Sequence, residues 1–298
     1  MRLLITGGSG FLGQALARRL ARPGAEIVLF DPLPPAAEFP GTRWVEGDVA
    51  DCAAVATAIA QLQPEAIVHL AALLTDAAAS DPVAATRVNC LGTAVVLTEA
   101  NRQRVRRVVA ASSLAALGSP PSVYGATKAF GDQLAAALRS EGNTEIVGVR
   151  FGWVYGPGRA RGWNVLQDLI EGFASEQAVV PYPAFREPVD WTYLDDAVSA
   201  LCWCLELPSP APALLTVQGD RRPVTAAVGY LQALVPTVQP APYPATLPPA
   251  GWQVAGDFLG TTTLEEGLWR TVAAIRQARG LPPLAAPAPQ RLGRRTDD

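Results

Sequence analysis

Two side chains that can move a proton together stand four residues apart in the chain, at Tyr124 and Lys128. In a helix, this spacing places both side chains on one face. A nearby ammonium favours the phenolate and lowers the pKa of a tyrosine from about 10 towards the working range. The tyrosine can then take a proton from a carbinol oxygen or give one to a carbonyl oxygen. Tyr-x-x-x-Lys also arises by chance, but Lys128 is the only lysine in the chain.

Two serines precede this pair, at the end of a predicted strand over 105–111. A hydroxyl from Ser112 or Ser113 can donate a hydrogen bond to the same substrate oxygen. The alternative is that the two hydroxyls only cap a turn.

A glycine-rich turn, Thr6-Gly7-Gly8-Ser9-Gly10-Phe11-Leu12-Gly13, follows an apolar strand and opens a helix. The first glycine of the GxxGxxG spacing permits a tight turn, the second lets the backbone approach a pyrophosphate, and the third allows close packing of helix on sheet. Free N–H groups at the helix start then face the phosphates. The pattern predicts a dinucleotide site, although glycines at this spacing also mark ordinary turns.

Two carboxylates follow the next two predicted strands. Asp31 lies 18 residues after Gly13, close to the separation of about 20 expected for the acidic group that binds a ribose diol. A carboxylate there repels a 2′-phosphate, which favours NAD over NADP; the alternative is a turn starter before Pro32. Asp48, followed by Val49, closes the third turn, where its carboxylate can meet the adenine amino group, unless Asp48 serves only as a helix N-cap.

These residues need a scaffold, and the first half of the chain supplies alternating strand and helix patterns. Apolar runs predict strands over 2–6, 26–30, 43–46, 66–70, 105–111 and 146–151. Between them, periodic segments predict helices over 11–22, 52–62, 82–102 and 122–139. This alternation predicts an α/β fold, a Rossmann-like doubly wound parallel sheet covered by helices.

The pattern loosens after residue 156. Helices are expected over 163–173, 195–205, 225–234 and 264–279, with a strand near 213–218 and dense proline over 236–249. We therefore expect an NAD-binding Rossmann domain over 1–155, which the strand near 213–218 rejoins. A smaller, irregular substrate-binding lobe is expected over 156–280, and a mobile tail over 281–298.

Composition narrows the function classes. The chain has 298 residues, 49% hydrophobic and 17% charged, with 24 basic and 27 acidic residues. No basic excess indicates nucleic acid or a membrane surface, and no apolar run reaches the ~18 residues of a membrane span. One histidine and four scattered cysteines exclude a multi-histidine site and support no metal. We expect a soluble cytoplasmic protein with free thiols that acts on a small molecule.

At this point the chain resembles the extended short-chain dehydrogenase/reductases, in their NAD-dependent epimerase/dehydratase group. The resemblance runs over roughly residues 1–235 in the family's order. It is carried by Thr6–Gly13, Asp31, Asp48-Val49, His69-Leu70-Ala71-Ala72, Asn89, Ser112-Ser113, Tyr124/Lys128, Arg150–Pro157 and Val189–Ala197.

The resemblance implies NAD as cofactor and a role for each matching residue. Those implied to contact the cofactor are Gly7, Gly10, Phe11, Leu12, Gly13, Asp31, Asp48, Val49, Leu70, Ala71, Ala72, Asn89, Tyr124, Lys128, Phe151 and Val154. Ser113, Tyr124 and Lys128 would form the catalytic triad, with Ser113 preferred to Ser112 because of its distance from Gly118. His69 would be a residue of the cofactor loop and not a general base.

Several departures from the family concern the substrate. Ser113 and Tyr124 are only 11 residues apart, whereas sugar-nucleotide members carry a longer loop there. Trp153 stands where sugar-nucleotide epimerases have an asparagine, and Val189 where an arginine grips the diphosphate. Asn164 matches a phosphate-side position, and Arg186 lies three residues before Val189. These departures favour a smaller hydroxy or keto compound, with Trp153, Asn164 and Arg186 as candidate substrate contacts.

Two sets of side chains keep alternatives open. Arg159, Arg161 and Arg186 can serve an anionic group or be solvated surface residues. The aromatic residues Trp153, Tyr155, Trp163 and Trp191 can line the pocket or pack the small lobe.

The motifs do not separate an epimerase or dehydratase, which regenerates its own NAD, from a dehydrogenase or reductase, which exchanges it. A sugar-nucleotide enzyme and a non-catalytic dinucleotide sensor are the alternatives, although a sensor would not need Ser113, Tyr124 and Lys128. The resemblance also implies a homodimer through the helices over 82–102 and 122–139, unless the Ala-rich helix lies against its own sheet.

Overall fold

The computed structural model of the protein describes residues 1–119, 121–159, 165–185, 187–245 and 256–284. The strands in this part of the chain are β1 (Arg2–Thr6), β2 (Glu26–Asp31), β3 (Thr42–Glu46), β4 (Ala66–His69), β5 (Arg107–Ser113), β6 (Glu145–Phe151), β7 (Trp153–Tyr155), β8 (Val179–Pro183), β9 (Val189–Tyr193), β10 (Leu214–Gln218), β11 (Asp220–Arg222), β12 (Gln239–Tyr243) and β13 (Phe258–Leu259). The helices are α1 (Phe11–Leu20), α2 (Cys52–Leu62), α3 (Thr75–Ser80), α4 (Pro82–Ala85), α5 (Gly92–Arg102), α6 (Val123–Glu141), α7 (Val165–Ala174), α8 (Leu194–Glu206), α9 (Val224–Leu234) and α10 (Leu264–Ala278).

Eight parallel strands form the main sheet, in the order β13-β10-β6-β5-β4-β1-β2-β3. The chain reverses its direction of travel across the sheet between β1 and β4, and ligands of such sheets bind outside the carboxyl ends of the strands at this point. The glycine turn follows β1 and the serines end β5, so the two candidate motifs share one edge of the sheet. The Rossmann-like doubly wound parallel sheet is confirmed.

The sheet is buried on both faces because its strands are almost continuously apolar. Leu3 and Ile5 of β1 point to one face, where α1 and α8 pack, while Leu4 points to the other face. There the core is completed by residues of α2 and α5. This alternation along one strand fixes which helices lie on which side of the site.

The segment predicted as one helix over 82–102 has a π-helical stretch, Thr86–Leu91, between α4 and α5. The wider turn carries Asn89, which is 2% exposed, into the interior. Short π-helical stretches inside α-helices are frequent at functional sites.

The small lobe has its own core, separate from the two faces of the sheet. β7, β9 and β11 form a three-stranded sheet, and β8 pairs with β12. The core packs residues of α7, α9 and α10 around Tyr155 and Trp191.

The predicted boundary at residue 155 does not separate these cores. β10, the strand expected near 213–218, pairs with β6. β13 pairs with β10 and α8 packs on the sheet, although these two come from the interval predicted as the lobe. The fully buried guanidinium of Arg107, in β5, donates to the carbonyls of Cys204 and Leu205 at 3.1 and 3.0 Å and so binds the end of α8 to the sheet. Helical periodicity shows that a segment has an apolar face, but not which layer the face covers.

Residues 285–298 of the predicted tail lie outside the described residues. Leu284 packs on the lobe core, and Arg276 Nε donates to the Pro282 carbonyl at 2.8 Å. No helix in the described ranges is both long and apolar enough to cross a membrane.

Candidate active site

The glycine turn is built for close backbone approach. Gly7 has a φ of +67°, and a Cβ atom there would lie 2.7 Å from the Ala71 amide nitrogen. A Cβ on Gly13 would lie 2.5 Å from the Gly7 carbonyl oxygen, so α1 can pack tightly on the turn. Gly10 precedes α1 without a side-chain cap, which leaves the amides at the start of the helix, at Phe11 and Leu12, beside the turn.

Asp31 ends β2 directly beside the glycine turn. Its Oδ2 accepts a hydrogen bond from the Ser9 amide at 3.2 Å, and its Oδ1 accepts one from the Leu33 amide at 3.0 Å. The carboxylate therefore starts the turn after β2 and also faces the glycine turn. The buried Ser9 Oγ has no hydrogen-bond partner in the described part of the protein.

Asp48 does not cap α2, because Asp51 does so by accepting from the amides of Ala53 and Ala54. The Asp48 carboxylate instead pairs with the Arg87 guanidinium of the π-helical stretch at 2.7 Å. The neighbouring Val49 is buried.

Asn89 connects the cofactor side of the site to the Tyr–Lys helix. Its Oδ1 accepts from the Leu73 amide at 2.8 Å, and its Nδ2 donates to the Leu73 carbonyl and to Thr127 Oγ1, both at 3.0 Å. The partly buried segment Leu70, Ala71 and Ala72 is held at its start by the hydrogen bond from the Leu70 amide to the Thr6 carbonyl.

His69 is buried in a chain of hydrogen bonds. Thr93 Oγ1 donates to the Asn89 carbonyl at 2.6 Å, so it accepts from His69 Nε2 at 3.0 Å. His69 Nδ1 then accepts from Thr6 Oγ1 at 2.7 Å. Burial, with a smaller effect of the Lys128 charge, lowers the pKa of His69 to about 3. The ring is neutral at working pH and has no free nitrogen for a general base.

Ser113, Tyr124 and Lys128 come together where β5 ends and α6 begins. Ser113 Oγ accepts from the Ala115 amide at 3.1 Å and is hydrogen-bonded to the Tyr124 phenol. Lys128 Nζ lies 5.7 Å from the centre of the Tyr124 ring and donates to the Ala111 carbonyl at 2.9 Å. Ser112 is buried, and its side chain points to the opposite face of β5 from that of Ser113.

Burial dominates the electrostatics of this pair. It raises the pKa of Tyr124 to about 12, against the hydrogen bond from Ser113 and the charge of Arg159, which both lower it. Burial also lowers the pKa of Lys128 to about 8, against the charge of Asp132, which raises it. A low-dielectric site thus disfavours both the Tyr124 phenolate and the Lys128 ammonium. Each neighbouring charge therefore has a large influence on these two pKa values.

The far side of the site is formed by the ends of β6 and β7. Phe151 and Val154 are buried, and the Val154 carbonyl accepts from Arg159 Nη2 at 2.9 Å. The Arg159 guanidinium stacks 4.4 Å from the centre of the Phe11 ring, at the start of α1. Arg159 therefore faces the site.

Of the candidate substrate contacts, Trp153 is half-buried, with its ring 5.6 Å from that of Phe185. Asn164 and Arg186, together with Arg161 and Trp163, lie outside the described residues. Tyr155 and Trp191 are buried against each other in the lobe core at 5.7 Å, so they pack the lobe.

The sequence analysis missed two charged residues beside the site. Arg87 pairs with Asp48, and no local pattern indicates that partner. Asp132 lies one helical turn after Lys128 and pairs with Arg150 at 2.8 Å. The i, i+4 spacing from Lys128 was the available signal for Asp132.

These residues fit a dinucleotide. The glycine turn has no room for side chains, its helix start is uncapped, and a carboxylate ends the adjacent strand. The fold and the site therefore define a Rossmann-type dinucleotide-binding enzyme with a Ser–Tyr–Lys arrangement. The described residues contain no group of three or more His, Cys, Asp or Glu side chains that could hold a metal.

Comparison with known proteins gives the family. A model of the NAD dependent epimerase/dehydratase family matches residues 3–214. The dTDP-glucose 4,6-dehydratase of Streptomyces niveus is 32% identical over 234 residues, which cover 67% of this chain and 68% of that protein. The 2-alkyl-3-oxoalkanoate reductase of Stenotrophomonas maltophilia is 28% identical over 232 residues, covering 72% and 68%.

Among solved structures, the UDP-glucose 4-epimerase of Thermotoga maritima with UDP-glucose has a TM-score of 0.81 at 20% identity, covering 94% of this chain and 100% of that one. The chain belongs to the NAD-dependent epimerase/dehydratase family, and NAD is its cofactor. The chain thus spans about two thirds of the length of each of these two curated relatives.

Proposed function

We propose that the protein is an NAD-dependent enzyme that oxidises or reduces a carbinol or carbonyl carbon, with Tyr124 as the acid/base. The observation that carries this proposal is the hydrogen bond between Ser113 and Tyr124 beside the Lys128 ammonium, at the same sheet edge as the glycine turn. NAD, when bound, supplies the hydride acceptor or donor. The turn over Gly7–Gly13 would hold its pyrophosphate, and Asp31 its adenosine ribose.

In the oxidation direction, Tyr124 takes the proton of the substrate hydroxyl, while Ser113 donates a hydrogen bond to the substrate oxygen. Lys128 stabilises the phenolate that must exist before this transfer. In the reduction direction the same phenol returns the proton to the carbonyl oxygen. Phe151 and Val154 would exclude water on the far side of the site.

The preferred substrate is a small, sugar-like hydroxy or keto compound. In support, the 3₁₀ turn Leu114–Leu117 occupies the short connection between Ser113 and α6, and Val189 is fully buried in the lobe core. A side chain buried there cannot grip a diphosphate. Among the candidate substrate contacts, Trp153 lies within the described residues, and its side chain is partly exposed to solvent.

A sugar nucleotide is the second candidate substrate, because the dTDP-glucose 4,6-dehydratase of Streptomyces niveus is a relative. A panel of free sugar acids, polyols and keto acids, run beside dTDP- and UDP-hexoses, separates the two candidates. Turnover of the nucleotides alone would refute the smaller substrate.

The enzyme assignment is tested by Tyr124→Phe, with Tyr243→Phe on the lobe surface as the matched control. We expect turnover to fall at least 100-fold in Tyr124→Phe, because removal of a general acid/base typically costs 10²–10⁴-fold. NADH binding, followed by fluorescence, is expected to change little. Unchanged turnover would refute the role of Tyr124, and absence of any turnover in the wild-type protein would favour the dinucleotide sensor.

The cofactor content of the purified protein separates the reaction types. Acid release and assay of near-stoichiometric NAD would indicate an epimerase or dehydratase that regenerates its cofactor. Little retained cofactor, with NADH bound more tightly than NADPH, would indicate a dehydrogenase or reductase. Preference for NADPH would contradict the role of Asp31.

We further propose a homodimer that packs the helices around α5 and α6. Large apolar side chains are exposed on this side of the molecule, with Val83 80% exposed, Leu91 49% and Phe130 41%. A cytoplasmic location is consistent with the four cysteines, which are free thiols.

A further inference from the structure

A small cavity lies on the inner side of α6, between this helix and strands β4, β5 and β6. Its volume is about 20 Å³, which is room for one water molecule. Ser112, Lys128 and Asp132 supply polar groups to its wall, which Gly131 and Gly148 also line. The cavity is therefore polar enough and large enough to hold a water in contact with Lys128.

Ser112 gives independent evidence for a ligand in this cavity. The residue is 8% exposed, and its Oγ makes no hydrogen bond to any group that the structure describes. Buried hydroxyls almost always have a partner, which is often an ordered water. A water in the cavity would satisfy this hydroxyl.

Asp132 faces the same cavity with a fixed carboxylate. Its Oδ2 accepts from Arg150 Nε at 2.9 Å and lies 2.8 Å from Arg150 Nη2. Asp132 and Lys128 are one helical turn apart, and no direct ion pair joins them in the described structure. A bridging group between them would complete the contact.

The other titratable groups around Lys128 carry no negative charge that replaces Asp132. His69 is neutral. Cys90, whose charge would also raise the pKa of Lys128, has its own thiol pKa raised by burial. Tyr124 is a neutral phenol until it reacts, and Arg150 is a cation. Within the described ranges, Asp132 is thus the carboxylate whose charge favours the ammonium form of Lys128.

We propose that one buried water bridges the Ser112 hydroxyl, the Lys128 ammonium and the Asp132 carboxylate, and that Asp132 is a positioning residue that keeps Lys128 protonated. Its consequence for catalysis rests on the proposed function, in which a charged Lys128 favours the Tyr124 phenolate. The bridge itself does not depend on turnover.

The test uses the single lysine of the chain. Protein labelled with ¹³C-lysine gives one Hε–Cε signal, so its chemical shift against pH measures the pKa of Lys128 directly. In Asp132→Asn this pKa is expected to fall by about one unit, the low end for loss of an opposite charge at close range. Asp132→Glu, which retains the charge, is expected to restore most of the shift.

Glu141→Gln is the matched control. It removes an exposed carboxylate from the same helix, about 20 Å from Lys128 along the helix axis. It is expected to leave the Lys128 titration unchanged. An unchanged titration in folded Asp132→Asn, or an equal shift in Glu141→Gln, would overturn the proposal.

Ser112→Ala keeps the proposal testable where Asp132→Asn does not fold, because it leaves the Asp132–Arg150 pair intact. Loss of one water ligand is expected to lower the pKa of Lys128 in this variant too, and an unchanged value there would overturn the bridge. The readout is independent of turnover. A wild-type protein with the expected titrations and no activity would therefore refute the proposed function and leave the bridge standing.

Discussion

Acidification from pH 7 to pH 5 is expected to destabilise the protein through its single histidine. Burial lowers the pKa of His69 to about 3 in the folded protein, against about 6.5 in the unfolded chain. Between these values the unfolded state binds a proton that the folded state does not. Stability therefore rises with pH across this window and is lost as the pH falls below 6.5.

The magnitude follows from the two pKa values. At pH 5 the unfolded histidine is almost fully protonated and the folded one almost fully neutral, which corresponds to a loss of about 2 kcal/mol relative to pH 7. In this protein the protonated ring would also have to break a buried chain, since Nδ1 accepts from Thr6 Oγ1 and Nε2 donates to Thr93 Oγ1.

Urea unfolding at pH 7 and pH 5 measures this effect, with His69→Gln as the comparison. Carboxylates also titrate in this range, so the informative quantity is the difference between the two proteins in their loss of stability. We expect the wild type to lose about 2 kcal/mol more than the variant. Equal losses, or a His69 ring signal in NMR that titrates near pH 6.5, would refute the reasoning.

Two further predictions follow from the geometry. Gly7→Ala is expected to weaken NAD binding at least tenfold in a fluorescence titration, because the residue has a positive φ and its Cβ would collide with the backbone of Ala71. Gly24→Ala is the control. Gly24 also has a positive φ but has open space around it, so this variant is expected to retain binding. Phe130→Glu is expected to convert the proposed dimer to a monomer in light scattering, whereas Val179→Glu, at an even more exposed position on the lobe, leaves the mass unchanged. A variant of Phe130 that stays dimeric would rule out the α6 interface.

The parts of the site that sequence reasoning predicted are those that depend on local spacing. The glycine turn is recognisable because three glycines, a strand before them and a helix after them are contiguous. Tyr124 and Lys128 are recognisable because one helical turn separates them. The doubly wound sheet follows in the same way from alternating apolar periods.

The parts that could not be predicted depend on pairings between distant segments. Arg87 meets Asp48 only because the π-helical stretch lies over the turn after β3. The assignment of α8 to the sheet rests on its apolar packing there and on the contacts of Arg107 with the carbonyl groups at its end. Both the Arg87–Asp48 pair and the position of α8 depend on tertiary packing, which the periodicity of the individual segments does not reveal.

The return of the chain to the sheet at β10 has a consequence for the order in which the protein can be completed. A ribosome that has synthesised residues up to the end of β6 has produced a sheet whose last strand offers an unpaired, apolar edge. That edge is covered only after about 60 more residues, which include the first part of the lobe, have been made. Unpaired strand edges template association with other chains. Truncation between β6 and β10 should therefore give an insoluble product, because the edge of β6 then stays unpaired.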